Sequence, residues 1–340
     1  MHPHQPPFAS AQGKPITDVR SALSDGIAQL ESENIPSPAL AAELLLMHTL
    51  NHDRTWLYAH PEHALDAPTR EKYFALIAKR ASGIPTQHLT GHQEFWGLDF
   101  EVTPDVLIPR PETEHVIEVA LDRLGVAPSV VQASAGDRSN PYQIAQTEAY
   151  ATHSKEEFRI ADVGTGSGCI AIALAHELPS ARIIATDISG PALELARRNA
   201  EIHGVPSRID FIECNLLDEV LHGSRATGHG PRSLDLIASN PPYIGRREAA
   251  TLPREVRDHE PETALFAGET GTELYAPLIA QAAALLKPGG FLVLELGYNS
   301  SEYVTRALTA PQWTNLSITK DLAGIPRVAS AERTAEQSPA

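Results

Sequence analysis

The residues Asn240-Pro241-Pro242-Tyr243 carry the most informative chemistry of this 340-residue chain. They follow an apolar run at 234–239 that predicts a buried strand. Because proline has no N–H to donate, the chain must leave the sheet there with a rigid backbone and exposed carbonyls. The Asn240 side-chain oxygen and the Pro241 carbonyl could accept both hydrogens of a planar –NH2 group, and Tyr243 could stack on its face. Taken alone, however, the motif favours an ordinary strand-to-loop exit.

A second site lies upstream, where a predicted strand at 158–163 runs into Gly164-Thr165-Gly166-Ser167-Gly168 and then into an apolar helix at 169–176. Such a turn lets the backbone approach a ligand closely at a helix N-terminus. The spacing does not fit a dinucleotide fingerprint, because Cys169 takes the place of the last glycine. No Lys-Ser/Thr pair follows, which excludes a phosphate-binding P-loop. The next strand, at 181–186, ends at Asp187, whose carboxylate suits two ribose hydroxyls.

This combination resembles the class I S-adenosyl-L-methionine-dependent methyltransferases. The alternatives are a cofactor-free α/β domain or a dinucleotide binder, which the Asn-Pro-Pro-Tyr motif on a later strand disfavours. The resemblance implies that the Gly-rich loop and its preceding Asp hold the methionine part and that the second acid holds the ribose. The expected cofactor-binding residues are Asp162, Gly164, Thr165, Gly166, Ser167, Gly168, Asp187, Asn215, Leu216 and Asn240. Relatives with this motif methylate planar nitrogens: adenine or cytosine amines, or the amide of glutamine.

Composition narrows the class of acceptor. The formal net charge is −16 and no Lys/Arg-rich stripe is present, which argues against a nucleic-acid substrate and fits a basic protein partner. No apolar run reaches the length of a membrane span. Cys169 and Cys214 are expected to be reduced residues of a cytoplasmic protein, and the histidines show no repeated metal-ligand spacing. We therefore expect a cytoplasmic monomer with no metal, no membrane contact and no direct nucleic-acid substrate.

The predicted elements must bring these two sites together. Helical spacing is expected at 17–32, from Ser37-Pro38 onward and at 68–79, a β-hairpin at 90–102, and a helix that ends near 124. From residue 158 onward strands and helices alternate, with a helix that ends at Lys287-Pro288-Gly289-Gly290 and a last strand at 313–319. This pattern predicts an α/β fold: a Rossmann-like, doubly wound sheet of the class I methyltransferase type, with a small N-terminal helical domain and a connecting β-hairpin.

The predicted domain boundaries follow from the same pattern. They are a disordered tail at 1–15, a helical substrate-binding domain at 16–88, a β-hairpin linker and start of the catalytic domain at 89–124, a flexible insertion at 125–157, the methyltransferase domain at 158–330 and a tail at 331–340.

A closer resemblance rests on five ordered motifs: Pro85 to Gly91, Glu94 to Gly97, Ile108 to Glu114, Ser239 to Ile244 and His259 to Leu265. Together they closely resemble the bacterial peptide chain release factor glutamine methyltransferases, from about residue 17 to 330. The resemblance implies that the substrate is the Gln of the Gly-Gly-Gln loop in class 1 release factors. This chain departs from the family at Asn215, where an Asp near the adenine is common, and in its long insertion.

The resemblance also implies roles in the reaction. Asn240, Pro241 and Tyr243 are the expected catalytic residues, and Pro242, Arg110 and Glu112 join them in binding the substrate. Because no side chain could deprotonate a neutral amide at pH 7, catalysis must come from positioning and from acceptors that favour positive charge on nitrogen. Glu260 and Glu295 are further candidates for shaping the pocket, or else ordinary surface or capping carboxylates. The alternatives are a ribosomal protein L3 glutamine methyltransferase, a DNA or RNA adenine-N6 methyltransferase, and a non-catalytic cofactor-binding module.

Overall fold

The structure is a computed structural model that describes residues 18–128, 157–222 and 233–335. It divides into two compact units. One unit is helical and combines the chain up to His92 with the short segment Pro253–His259. The other contains Gln93–Leu252 and the chain from Glu260 onward, and it holds the large sheet.

The helical unit forms because three helices share one apolar core: α1 and α4 are amphipathic, whereas α2 is apolar on most of its surface. Their bounds, with two shorter helices between and after them, are α1 (Val19–Ser32), α2 (Pro38–Leu50), α3 (Arg54–Ala59), α4 (Ala67–Ala81) and α5 (Thr86–Thr90). The side chains of Leu30, Leu45, Tyr73 and Ile77 are fully buried in that core. Gly26 lets α1 approach α4, because a Cβ at this position would lie 2.3 Å from the Tyr73 hydroxyl oxygen.

The helical segment Arg254–His259 completes this unit, although it lies far along the chain. Its Glu255 pairs with the buried guanidinium of Arg80, which also donates to the Ile84 carbonyl. An unpaired buried charge would be costly, so this pair ties the late segment to α4.

The sheet unit begins with a β-hairpin and continues as alternating strands and helices. Its strands are β1 (His92–Phe95), β2 (Leu98–Glu101), β3 (Arg159–Val163), β4 (Arg182–Asp187), β5 (Ile209–Glu213), β6 (Leu234–Ser239), β7 (Ile244–Gly245), β8 (Phe266–Gly268), β9 (Leu286–Glu295), β10 (Trp313–Lys320) and β11 (Pro326–Arg333). Its helices, with Arg254–His259 numbered in sequence as α10, are α6 (Glu114–Arg123), α7 (Cys169–Glu177), α8 (Gly190–Ile202), α9 (Asp218–Leu221), α11 (Glu262–Leu265), α12 (Tyr275–Leu285) and α13 (Ser301–Ala307).

The main sheet has seven strands in the order β10-β11-β9-β6-β3-β4-β5. The five strands from β9 to β5 are parallel, and β11 and β10 are antiparallel additions at one edge. Two apolar clusters sandwich the sheet; one includes Ile160 and Ile172, the other Ile237 and Leu278. The order reverses between β3 and β6, so the carboxyl ends of these strands form the crevice where such folds bind ligands. This architecture confirms the predicted fold class.

Three expectations need correction. The turn expected at Lys287–Gly290 lies inside β9, which begins at Leu286 and bulges there against β6. Residues 331–333, assigned to a tail, belong to β11, which continues to Arg333; the Ala/Ser-rich sequence of this strand has weak strand propensity, and pairing with β9 and β10 holds it in the sheet. Segment 253–259, assigned to the methyltransferase domain, belongs to the helical unit.

Two further expectations have mixed outcomes. Ser37 precedes α2 as expected but lies in the left-handed region and makes no capping hydrogen bond. The predicted insertion and the N-terminal tail lie largely outside the described residues; Val126, within the predicted insertion, is buried in the core of the sheet unit.

Candidate active site

A cavity of about 360 Å³ opens at the carboxyl ends of β3, β4 and β6. Its wall includes the Gly-rich loop after β3, the end of β4, the segment after β5 and the Asn-Pro-Pro segment after β6. Parallel strands place their carboxyl ends on one edge of the sheet, which is why loops far apart in sequence meet here. The volume is within the range of small-molecule pockets.

The Gly-rich loop shapes the cavity mainly by leaving space. Gly164 and Gly166 have positive φ angles of 73° and 54°, and no atom of the described part of the chain would lie within 4 Å of a Cβ at either position. The N–H groups of Gly164 and Thr165 donate to the Thr186 carbonyl at 2.8 and 2.9 Å, which fastens the loop to β4. The sequence predicted a close approach of this backbone to a ligand, and the structure shows that these two N–H groups form their hydrogen bonds inside the protein.

Asp162 supports this loop from behind the wall of the cavity. Its carboxylate is fully buried, and its Oδ2 accepts hydrogen bonds from the Thr165 hydroxyl at 2.6 Å and the Ala171 N–H at 3.1 Å. Burial raises the pKa of this carboxyl to about 7. Among the residues that the structure describes, none forms a hydrogen bond with Oδ1. The loop and the start of α7 therefore depend on one buried acid.

Asp187 lies on the wall at the end of β4. Its Oδ2 accepts from the Gly166 N–H and its Oδ1 from the Ser189 N–H, both at 2.9 Å. Burial raises the pKa of this carboxyl, although the N–H donors oppose the shift. Each oxygen keeps a second lone pair, so the carboxylate could accept from two ligand hydroxyls.

Asn240 occupies the end of β6 and has a defined orientation. Its Nδ2 donates to the hydroxyl of Thr113 at 3.0 Å, and that hydroxyl donates to Oε2 of Glu295 at 2.6 Å. Thr113 and Glu295 are almost completely buried. Nδ2 is engaged with Thr113, so the other terminal atom of the amide, the acceptor Oδ1, lies away from Thr113.

Tyr243 is held by the same carboxylate. Its hydroxyl donates to Oε1 of Glu295 at 3.4 Å, and its ring packs so closely on Gly297 that a Cβ there would lie 2.8 Å from Cδ2. Burial raises the pKa of Tyr243 well above its usual range, so the phenol stays protonated. Tyr243 lies beside the cavity wall, since its ring and hydroxyl are engaged by β9 and the loop after it.

Arg110 lines the cavity and pairs with Glu260, which also accepts from the Ile108 N–H at 3.4 Å. The side chain of Glu260 is almost completely buried, so the carboxylate fixes the guanidinium in place and balances its charge. Arg110 therefore has an acidic neighbour and still lines the cavity, so its expected contact with the substrate stays a prediction.

The structure thus brings most of the predicted site residues onto one wall. Those that line the cavity are Arg110, Gly164, Thr165, Gly166, Ser167, Asp187, Asn215, Leu216, Asn240, Pro241 and Pro242. Those that do not are Glu112, Asp162, Gly168 and Tyr243. Glu112 instead lies 3.8 Å from Arg327. Gly168 lies against α8, where a Cβ would be 3.2 Å from that of Ala196.

Two side chains with a clear place at this site were not singled out from sequence. Thr113 belongs to the Ile-Pro-Arg-Pro-Glu-Thr-Glu motif, and only its position beside two charged residues could have drawn attention to it. Asn199 is fully buried on α8; its Nδ2 donates to the carbonyls of Ser167 and Glu101, and its Oδ1 accepts from the Glu101 N–H. It joins the hairpin to the Gly-rich loop.

No cluster of His, Cys, Asp or Glu within residues 18–128, 157–222 and 233–335 could hold a metal ion. In the same part of the chain, no helix is both long and apolar enough to cross a membrane.

Comparison with known proteins gives consistent matches over both units. Residues 21–91 match the family model of the PrmC N-terminal domain, and residues 146–255 match that of the methyltransferase small domain. The chain is 40% identical over 310 residues to the release factor glutamine methyltransferase of Koribacter versatilis, covering 91% of this chain and 96% of that protein. It is 36% identical over 335 residues to that of Nitratidesulfovibrio vulgaris, covering 98% of each.

Among solved structures, the hMettl16 catalytic domain in complex with an RNA hairpin matches with a TM-score of 0.50 at 18% identity. The match covers 78% of this chain and 84% of that one. At this identity the likeness concerns the fold alone.

Proposed function

Because this chain belongs to the release factor glutamine methyltransferase family, we propose that it methylates the side-chain amide nitrogen of a glutamine in a peptide chain release factor. The donor is S-adenosyl-L-methionine, and the acceptor is the Gln of the Gly-Gly-Gln motif in class 1 release factors. The observation that supports the proposal best is the fixed amide of Asn240, with its Nδ2 engaged by Thr113 on the wall of the cavity.

The residues present fit this cofactor. Gly164 and Gly166 leave open space where a side chain would intrude, and Asp187 retains acceptor capacity for two hydroxyls. Asn215 and Leu216 line the same cavity after β5, and we expect them to border the adenine. When bound, S-adenosyl-L-methionine supplies a methyl group on a sulfonium, an electrophile that needs no metal.

The residues after β6 recognise the acceptor amide. An amide nitrogen is a poor nucleophile, because its lone pair is delocalised into the carbonyl. Asn240 Oδ1 and the Pro241 carbonyl accept the two N–H hydrogens, which orients the nitrogen and favours positive charge on it in the transition state. The proton leaves after transfer, so the chain needs no dedicated base.

Tyr243 was expected to stack directly on the substrate amide. In the structure it lies beside the cavity, with its hydroxyl on Glu295. We propose that it supports the flank of the acceptor site from this position.

The direct test is methyl transfer to purified candidates. The chain is incubated with S-adenosyl-L-methionine carrying a labelled methyl and with a class 1 release factor, ribosomal protein L3 or DNA. Label on the release factor, mapped by mass spectrometry to the Gly-Gly-Gln glutamine, is expected. Label on L3 or DNA alone would contradict the proposal, and a release factor with that glutamine replaced by alanine is the matched substrate control.

A variant links the activity to the site. Asn240→Ala is expected to lose kcat by at least about 100-fold, because a transition-state acceptor is removed. Its affinity for S-adenosyl-L-methionine, measured by calorimetry, should stay close to that of the unmodified protein. Near-normal turnover would exclude the acceptor role of Asn240.

A further inference from the structure

A buried chain of hydrogen bonds runs from the candidate acceptor site to the end of β9. Asn240 Nδ2 donates to Thr113 Oγ1, Thr113 donates to Glu295 Oε2, and the Tyr243 hydroxyl donates to Glu295 Oε1. Thr113 is 3% exposed and Glu295 is 2% exposed, so water is not available to replace these partners. Two segments that are distant in sequence, one with Thr113 and one with Tyr243, thus donate to the carboxylate of a third.

We propose that Thr113 and Glu295 are positioning residues that hold the Asn240 amide in one of its two possible orientations, with Oδ1 directed to the acceptor –NH2 group. This inference rests on the proposed function, since it concerns the reaction of a planar amide. It assigns roles to two side chains that do not themselves contact the reacting nitrogen.

Hydrogen-bond donors and acceptors decide how the Asn240 amide is oriented. An amide side chain can be turned by about 180° without changing its shape, so shape alone does not fix it. The threonine hydroxyl has one hydrogen, and donation of that hydrogen to Glu295 leaves only lone pairs for Asn240. Asn240 must then offer an N–H, which is the observed contact. In the turned amide, Oδ1 would face those lone pairs and Nδ2 would face the substrate –NH2, donor against donor.

Glu295 can hold the Asn240 amide in this orientation only when its side chain is an ionised carboxylate. Ionised, it accepts from both Thr113 and Tyr243; protonated, one oxygen becomes a donor and frees the threonine hydrogen to point at Asn240. Burial raises the pKa of Glu295 to about 7, opposed by the donated hydrogen bonds. The charged groups that face it are Glu112, which raises the pKa, and Arg327, which lowers it. The Tyr275 hydroxyl donates to the backbone carbonyl of Glu295.

The first experiment needs no substrate. The protein is labelled with [¹⁵N]asparagine, and the side-chain amide signals of Asn240 are identified by their absence in Asn240→Ala. These signals are expected to move between pH 5.5 and 8.5 with an apparent pKa near 7, and to stop moving in Glu295→Gln. In Thr113→Val they should shift at all pH values, whereas Thr113→Ser should retain the unmodified spectrum. Asn240 signals that are unchanged in Thr113→Val would overturn the proposal.

The second experiment measures turnover on the release factor. Thr113→Val is expected to lower kcat about 10- to 100-fold, the loss that follows from a small misplacement of an acceptor, with less than about a threefold change in KM. Thr113→Ser should restore most of the rate. In the unmodified protein kcat should fall as pH drops below 7, and Glu295→Gln should have a lower, pH-independent kcat. Full activity of Thr113→Val, or an unaltered pH profile in Glu295→Gln, would contradict the inference.

Two controls distinguish a positioning role of Thr113 and Glu295 from a loss of folding and from a failure of the proposed function. Thermal unfolding and calorimetric binding of S-adenosyl-L-methionine should be similar in Thr113→Val and Thr113→Ser, so a purely structural effect would be visible. If the unmodified protein methylates no release factor, the proposed function fails, while the amide signals of Asn240 still decide whether Thr113 and Glu295 orient it.

Discussion

At the scale of single residues, three carboxylates hold the polar groups of the candidate site in place. Asp187 fastens Gly166 and Ser189 through its oxygens and is also the expected partner of the ribose. Glu260 holds Arg110, and Glu295 holds Thr113 and Tyr243. In each case a buried or half-buried acid organises donors, which is the arrangement that makes a polar site rigid.

Asp187→Ala is expected to weaken binding of S-adenosyl-L-methionine by at least about 10-fold, because hydrogen bonds to a charged acceptor contribute about 1.5–3 kcal/mol each. Calorimetry with the purified protein measures the change. Asp18→Ala is the matched control: this acid does not line the cavity, and its replacement removes the cap on the Ser21 N–H at the start of α1. It should cost about 1 kcal/mol of folding stability and leave cofactor affinity intact. Equal affinity losses in both variants would refute the ribose role.

At the scale of elements, hydrogen bonds to neighbouring strands and a helix hold the Gly-rich loop in its shape. Gly164 and Thr165 donate to the Thr186 carbonyl on β4, Asp162 holds the loop from β3, and Asn199 holds it from α8. Three elements thus fix one turn. A loop that is already ordered loses little conformational entropy when a ligand binds, which favours affinity.

Asn199→Ala is expected to lower the free energy of unfolding by about 2–4 kcal/mol, because it leaves several backbone groups unpaired in a buried place. It should also weaken cofactor binding, since the Ser167 carbonyl loses its hydrogen bond from the Asn199 side chain. Urea denaturation and calorimetry give the two quantities. Arg198→Ala is the neighbouring control: its contact with Glu101 at 3.3 Å is exposed, so stability should change by less than about 0.5 kcal/mol. If Asn199→Ala lowers the free energy of unfolding no more than this control does, the hydrogen bonds of Asn199 do not stabilise the fold as proposed.

At the scale of the whole molecule, two features distinguish the chain. The helical unit contains a segment from late in the sequence, Pro253–His259, so it is not a simple N-terminal domain. The net charge of −16 favours a basic protein partner over a nucleic acid. The monomeric state expected from sequence stays a prediction, which sedimentation equilibrium can check.

The buried Asp162 makes global stability depend on pH. Its pKa is about 7 in the folded protein and 3.8 ordinarily, so between these values the folded state binds more protons than the unfolded state. Stability contributed by this group is therefore present at low pH and lost as pH rises through 7. The stability of the unmodified protein relative to Asp162→Asn is expected to fall by about 1–3 kcal/mol between pH 5 and 8.

Urea denaturation at several pH values without cofactor measures this difference. Asp321→Asn is the control, because donors in its turn and the guanidinium of Arg327 lower the pKa of that half-buried carboxyl. Its contribution is complete well below pH 5, so its stability difference should be constant from pH 5 to 8. A constant difference for Asp162→Asn as well would show that Asp162 is ionised throughout that range.

The sequence by itself determined those features of this protein that depend on residues close to one another along the chain. Period-two and period-3.6 apolar patterns encode strands and helices, and glycine and proline restrict the backbone wherever they stand. The Gly-rich loop, the Asn-Pro-Pro-Tyr exit, the acid after β4 and the family resemblance were therefore accessible without coordinates, as was the fold class.

Only the tertiary structure decided which side chains meet. Thr113 and Glu295 are 182 residues apart and Arg110 and Glu260 are 150 apart, and no local pattern encodes such pairs. They are set by the order of strands, which places the ends of β6 and β9 side by side and lays the segment before α6 against them. Strand β11 and the segment Pro253–His259 also owe their places to long-range packing, which overrides weak local preference.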